Sequence, residues 1–227
     1  PYIIEKLEKS VNVVVSSDPC YGACFMAYNE ARLYEADLIL HIGHSPLRDV
    51  DYGDSVFFVE VLEDPGLAKH FDEVGKILRA FNRVGVVTNV HHVHLLEELS
   101  ELLRRSGKES VVGGNGVRAW HRGQVIGCDY SSAKEIEADV EAFLFVGGGT
   151  FHPLGLSLAT TKPVFAFDPY SGRAYDLEPL KKKVLVQRFQ QIERTKRCRR
   201  FGVLAGARIG QHRPALIHRV CDYLRKH

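Results

Sequence analysis

The side chains best suited to chemistry in this sequence are thiols and imidazoles gathered in a few short stretches. Cys20-Tyr-Gly-Ala-Cys24 sets two of the five cysteines on one segment with C-x3-C spacing. Paired thiolates suit borderline and soft metals. Zinc sites more often repeat a C-x2-C pair, and no second pair is present. The spacing also excludes the C-x-x-C exchange motif. Taken alone, the segment reads equally well as one buried and one incidental cysteine. Cys128, in Gly-Gln-Val-Ile-Gly-Cys-Asp-Tyr, is a single loop cysteine of the kind that is usually structural, though a glycine at a strand end precedes it.

A second group is built on glycine. Gly147-Gly148-Gly149-Thr150-Phe151-His152-Pro153-Leu154-Gly155 follows an apolar run and precedes a helical one. Glycine lets the backbone approach a ligand, and a helix N-terminus favours an anion such as a carboxylate. The pattern is neither a Walker A loop nor G-x-G-x-x-G. A tight structural turn explains it as well as a ligand loop does. His41 and His44 flank Gly43 at a strand end and, read alone, are hydrogen-bonded structural histidines. His91, His92 and His94 crowd a helix start, where no adjacent thiol or carboxylate set completes a zinc site.

The elements that must hold these residues alternate in type. Residues 11–16 (VNVVVS), 36–42 (ADLILHI), 55–61, 83–88 (RVGVVT), 142–146 (AFLFV) and 164–167 read as strands, with an edge at 110–113. Residues 27–35, 71–81, 93–105, 154–160 and 214–226 have helical spacing. Residues 200–204 (RFGVL) echo 83–87 (RVGVV) and predict a further strand, a weak internal repeat. Alternating strands and helices imply parallel sheets with right-handed crossovers, so an α/β fold of repeated small domains is expected, each a parallel sheet flanked by helices. The units divide into 1–82, 83–197 and 198–227, the third apparently incomplete. In such sheets functional loops gather at the carboxyl ends of strands. The segments around Cys24, Gly43 and Gly147 all fall there.

Bulk composition narrows the partners. The chain has 227 residues, 45% hydrophobic and 26% charged, with a net charge of +2 and interspersed signs. That balance gives no reason to expect a nucleic-acid or membrane partner. No apolar run reaches the roughly 18 residues needed to span a bilayer. Five cysteines at long spacings do not make a secreted disulfide framework, which points to a cytoplasmic protein with free or metal-binding thiols.

Several stretches together resemble the diphthamide-synthesis family that includes the archaeal radical enzyme. They are Tyr21-Gly22-Ala23-Cys24, the run from Ala36 to Ser45, Gly123-Gln124-Val125-Ile126-Gly127-Cys128, the run from Gly147 to Leu158, Phe167-Asp168-Pro169-Tyr170, and Gly210-Gln211. Six modest motifs in one order are specific, and they cover nearly the whole chain.

The resemblance implies one 4Fe–4S cluster held by three cysteines, one from each of three similar domains, with the fourth iron open to S-adenosylmethionine. It implies cleavage of the bond from sulfur to the aminobutyrate chain, and addition of the 3-amino-3-carboxypropyl radical to a histidine of translation elongation factor 2. It further implies a homodimer. Cys24 matches the first metal ligand and Cys128 the second, while Cys20 lies outside the matched core. Gly147, Gly148, Gly149, Thr150 and His152 match the loop expected to cradle the S-adenosylmethionine, with Gln211 a further contact by position. No third ligand matches: Cys198 sits in a basic segment at a strand's amino end, and Cys221 on a packed helix face with Ile217, Val220 and Leu224. The third ligand is therefore expected beyond His227. Two rival readings remain: a non-catalytic or electron-delivery partner subunit of the same pathway, and a nucleotide-binding α/β module with inert thiols.

Overall fold

The computed structural model describes residues 2–209 and 211–226. In chain order the elements are α1 (Tyr2–Leu7), α2 (Tyr28–Leu33), β1 (Ile39–Ile42), β2 (Val56–Val59), α3 (Asp72–Ile77), β3 (Arg83–Thr88), α4 (Leu96–Arg105), β4 (Glu109–Val111), α5 (Ser131–Glu135), β5 (Ala142–Val146), α6 (Phe151–Ala159), β6 (Val164–Asp168), β7 (Arg173–Asp176), α7 (Glu178–Thr195) and α8 (Pro214–Lys226). Short 3₁₀ turns at Leu67–His70, Val90–Leu95 and Glu137–Asp139 complete them.

Among the described residues the strands form two sheets. β1 and β2 pair in parallel, and the larger sheet has the order β4-β3-β5-β6-β7. Its first four strands are parallel, and β7 runs antiparallel on the edge of β6. This is the expected α/β fold of parallel sheets flanked by helices. β3 leads to β4 on one side and β5 lies on its other side, so the strand order reverses between β3 and β5. A crevice opens at the carboxyl ends of the strands at such a point.

β3, β5 and β6 read as continuous apolar runs because helices cover both sheet faces. On one face Val84, Val86, Leu144, Val146 and Phe167 pack against Leu99 and Leu103 of α4 and against Val74 and Leu78. On the other, Val87, Phe143, Phe145 and Ala166 meet Leu156 of α6 and Leu177. Phe143, Phe145 and Phe167 are fully buried. Removing each from water contributes about 1.5–3 kcal/mol.

Two expected strands do not form. Residues 11–16 are irregular, with Val11, Val14 and Val15 exposed. A β-branched run makes a strand only where an edge exists to pair with. Residues 200–204 are likewise irregular, and Leu204 is 97% exposed. Cys198 therefore follows the end of α7 instead of preceding a strand; its thiol donates to the Arg194 carbonyl at 3.8 Å. The helix predicted at 154–160 begins earlier, at Phe151, and the one at 93–105 opens with a 3₁₀ turn. α1, β7 and α7 were not anticipated. α7 carries Leu185, Phe189 and Ile192 on one exposed stripe.

Candidate metal centre

Cys24 lies on the irregular segment between residue 11 and α2, folded by a turn in which the Phe25 amide donates to the Gly22 carbonyl at 2.9 Å. Arg208 and Gln211 reach it from the segment before α8. The Arg208 guanidinium carbon stands 3.1 Å from the centre of the Phe25 ring, and Gln211 Nε2 donates to Cys24 Sγ at 3.1 Å. Gln211, expected at the site by position alone, thus reaches a thiol far from it in sequence. Gly210, its neighbour in the matched pair, lies outside the described residues.

Cys128 sits at the tip of a tight turn in which Ile126 and Asp129 exchange backbone hydrogen bonds at 3.0 and 3.1 Å. Asp129 clamps this tip to the preceding loop. Its carboxylate accepts backbone N–H groups of Arg118 at 2.7 Å, Ala119 at 3.0 Å and Ser131 at 2.9 Å. Burial alone would raise its pKa, but the Ser131 hydroxyl and these backbone donors hold it below the usual range. Helix α6 buttresses the tip from below. A Cβ on Gly127 would stand 2.4 Å from the Phe151 ring, and one on Gly155 would strike the Tyr130 hydroxyl at 1.8 Å. Both positions require glycine for this close approach, and they lock the Cys128 turn to the start of α6.

Arg118 joins the two sheets at the thiol. Its Nε donates to both Asp49 oxygens at 2.8 Å and its Nη1 to Cys128 Sγ at 3.1 Å. Partial burial raises the Cys128 pKa; the Arg118 charge opposes this, and the Cys24 charge adds to it. Both sulfurs accept an N–H, the arrangement that stabilises thiolates bound to iron. Nearby, Gln124 Oε1 accepts the Trp120 and His121 amides, while its Nε2 donates to Ser45 Oγ at 3.2 Å.

The loops after β3 and β5 supply the remaining groups. Gly147 has φ +148°, a conformation open to glycine, and a Cβ there would stand 3.3 Å from the Asn89 amide nitrogen. Gly148, Gly149 and Thr150 are exposed on the same loop, where the Tyr175 hydroxyl donates to the Gly149 carbonyl at 3.1 Å. His152 stacks on Phe145 with ring centres 5.9 Å apart. Burial, then the charges of His44 and His91, push its pKa down to about 4. The imidazole of His152 is thus neutral at pH 7 and shares its surroundings with the loops after β1 and β3. His92 Nε2 lies 2.9 Å from the Tyr170 hydroxyl, which also bonds the Glu63 carboxylate.

Sequence reasoning missed Arg118, Asp49, Asp129 and the grouping of Cys20 with His41 and His44. Arg118 carries no motif of its own. Its role depends on an aspartate from the other sheet.

The fold and site define a mostly parallel α/β protein with two loop cysteines, Cys24 and Cys128, whose sulfurs each accept a hydrogen bond. The chain belongs to the diphthamide-synthesis family: the family model described as "Putative diphthamide synthesis protein" matches residues 1–227. It is 34% identical over 221 residues to 2-(3-amino-3-carboxypropyl)histidine synthase of Pyrococcus horikoshii, covering 97% of this chain and 63% of that protein. It is 29% identical over 209 residues to subunit 1 of the synthase of the same name from Saccharomyces cerevisiae, covering 87% of this chain and 47% of that one. The crystal structure of Dph2 from Pyrococcus horikoshii with a 4Fe-4S cluster superposes with a TM-score of 0.87 at 32% identity, covering 99% of this chain and 65% of that one. The chain thus spans between about half and two thirds of the length of these relatives.

Proposed function

We propose that this chain carries two of the three thiolate ligands of a 4Fe–4S cluster, Cys24 and Cys128. In this reading the protein uses the cluster to cleave S-adenosylmethionine and transfer its 3-amino-3-carboxypropyl group to a histidine of translation elongation factor 2. The observation that carries the reading is that Cys24 and Cys128, on separate loops, each accept an N–H on sulfur, from Gln211 and Arg118. The relatives' name and the 4Fe-4S cluster in the Pyrococcus structure support it.

A bound cluster supplies one electron to the sulfonium and a site for the amino and carboxylate groups of the methionine moiety. The chain's own residues do the rest. Arg118 holds positive charge against Cys128 and fixes its thiolate, with Asp49 setting the guanidinium plane. Gln211 orients Cys24. The Gly148 and Gly149 backbone and the start of α6 at Thr150 offer N–H groups to the carboxylate or ribose of the co-substrate, while the Gly147 N–H is held by the Phe167 carbonyl. His152 stays neutral beside that loop and adds no charge repelling a sulfonium. The reading extends to a cytoplasmic homodimer, and to a third domain beginning at 198 that contributes the remaining thiolate. Among the described residues no helix is long and apolar enough to cross a membrane.

The test is product analysis under reducing, anaerobic conditions with elongation factor 2 present. Breaking the bond from sulfur to the aminobutyrate chain leaves 5′-methylthioadenosine and a modified histidine on the factor. Formation of 5′-deoxyadenosine, or no turnover by iron-loaded protein, would refute the assignment.

A further inference from the structure

Beside the Cys24 loop, a second set of ligand atoms converges. Cys20 Sγ lies 3.6 Å from His41 Nε2 and 4.0 Å from His44 Nδ1, and the two imidazole nitrogens are 3.1 Å apart. All three atoms fall within 4.8 Å of one another. A tetrahedral ion with a metal–sulfur bond of about 2.3 Å and metal–nitrogen bonds of about 2.0–2.1 Å requires S···N near 3.5 Å and N···N near 3.4 Å. The observed triangle lies within about half an ångström of that on every edge. His41 Nδ1 is also 4.0 Å from the sulfur, so a modest ring rotation would aim the Nε2 lone pair at the common centre.

We infer that Cys20, His41 and His44 form a mononuclear site for a divalent d-block cation of the zinc class, distinct from the centre at Cys24 and Cys128. One thiolate and two imidazoles are a borderline donor set suited to zinc, and three protein ligands leave a fourth position for water. His41 is buried at the end of β1, and His44 sits two residues beyond that strand. Both therefore stand on a fixed frame. Cys20 is exposed on a segment with no helix or strand of its own. The ion would staple this segment to β1 and so hold Cys24, four residues on, at the candidate centre. Burial first, then the charge of His44 on His41 and of His91 on His44, lowers both imidazole pKa values and so favours the neutral rings that bind a cation.

Cobalt(II) is the probe, added to the metal-free protein with Cys24→Ser and Cys128→Ser in place so that the two candidate cluster thiols cannot bind it. The expected result is one cobalt per chain, with a sulfur-to-cobalt charge-transfer band and the intense visible bands of a four-coordinate ion. Cys20→Ser in that background is expected to abolish the charge-transfer band. His41→Ala and His44→Ala should each weaken binding roughly tenfold or more, every tenfold being about 1.4 kcal/mol. Circular dichroism confirms that each variant remains folded. An absent band in the Cys24→Ser/Cys128→Ser protein, or one that survives Cys20→Ser, overturns the site. In the otherwise unaltered protein, Cys20→Ser is expected to retain iron and sulfide. If both are lost, Cys20 belongs to the cluster centre, and this inference and the exclusion of Cys20 from the cluster fail together, while the assignments of Cys24 and Cys128 are tested by their own variants.

Discussion

Gln211 Nε2 donates a hydrogen bond to Cys24 Sγ at 3.1 Å, joining the segment before α8 to the segment before α2. A thiolate that accepts an N–H is stabilised, and a cluster it binds becomes easier to reduce. Gln211→Ala is therefore expected to lower the midpoint potential of the reconstituted cluster, measured by a redox titration followed by electron paramagnetic resonance. Because Gln211 is exposed, its removal should change folding stability by no more than about 0.5 kcal/mol. An unchanged potential would show that the contact does not act on the cluster.

Arg118 acts on the other thiol. In iron-free protein, burial lifts the Cys128 pKa and Arg118 holds it partly back. Arg118→Met removes a positive charge that favours the thiolate, so the pKa moves further up. Alkylation of Cys128, followed by mass spectrometry across pH, should therefore need a more alkaline solution in the variant, since the thiolate is the nucleophile. Loss of the Asp49 pair should cost about 1–3 kcal/mol of stability. A profile unmoved by the substitution would place Arg118 out of contact with the sulfur.

The sequence made the larger sheet legible and much of its frame invisible. β3, β5 and β6 are recognisable because Val84–Val87, Phe143–Val146 and Val164–Phe167 are apolar on both faces, which only a covered parallel sheet demands. The same reasoning failed at residues 11–16, where the pattern is right but no neighbouring strand is present to pair with. β7 escaped notice because Arg173–Asp176 is short, polar and on an edge, and α7 because its apolar residues face solvent. Cys24 and Cys128 became candidates through the motifs around them. Arg118 did not, since nothing local to it signals a contact with Asp49. Cys20, His41 and His44 were weighed separately because only the fold brings that loop to the end of β1.

His152 carries a pH dependence whose sign is fixed by its burial. Its pKa falls from the ordinary 6.5 to about 4 in the folded protein. The unfolded chain therefore takes up a proton first as pH drops. Stability supplied by the neutral ring is complete above about 6.5 and is lost as pH falls toward about 4, by at most about 3 kcal/mol. His152→Phe keeps the stack on Phe145 and removes the titration. Urea denaturation at pH 7 and pH 4.5 should show a smaller acid loss in the variant than in the parent; an equal loss would assign the acid sensitivity elsewhere.

The central claim is that Cys24 and Cys128 ligate one cluster and Cys20 does not. It is tested most directly by iron and acid-labile sulfide content after anaerobic reconstitution of Cys24→Ala, Cys128→Ala and Cys20→Ala beside the unaltered protein. Losing one thiolate leaves an iron under-coordinated. The account predicts that the first two variants lose most of their iron and sulfide, together with the reduced-cluster resonance, while Cys20→Ala retains both. Equal retention in Cys24→Ala and Cys128→Ala, or loss in Cys20→Ala as complete as theirs, would contradict it.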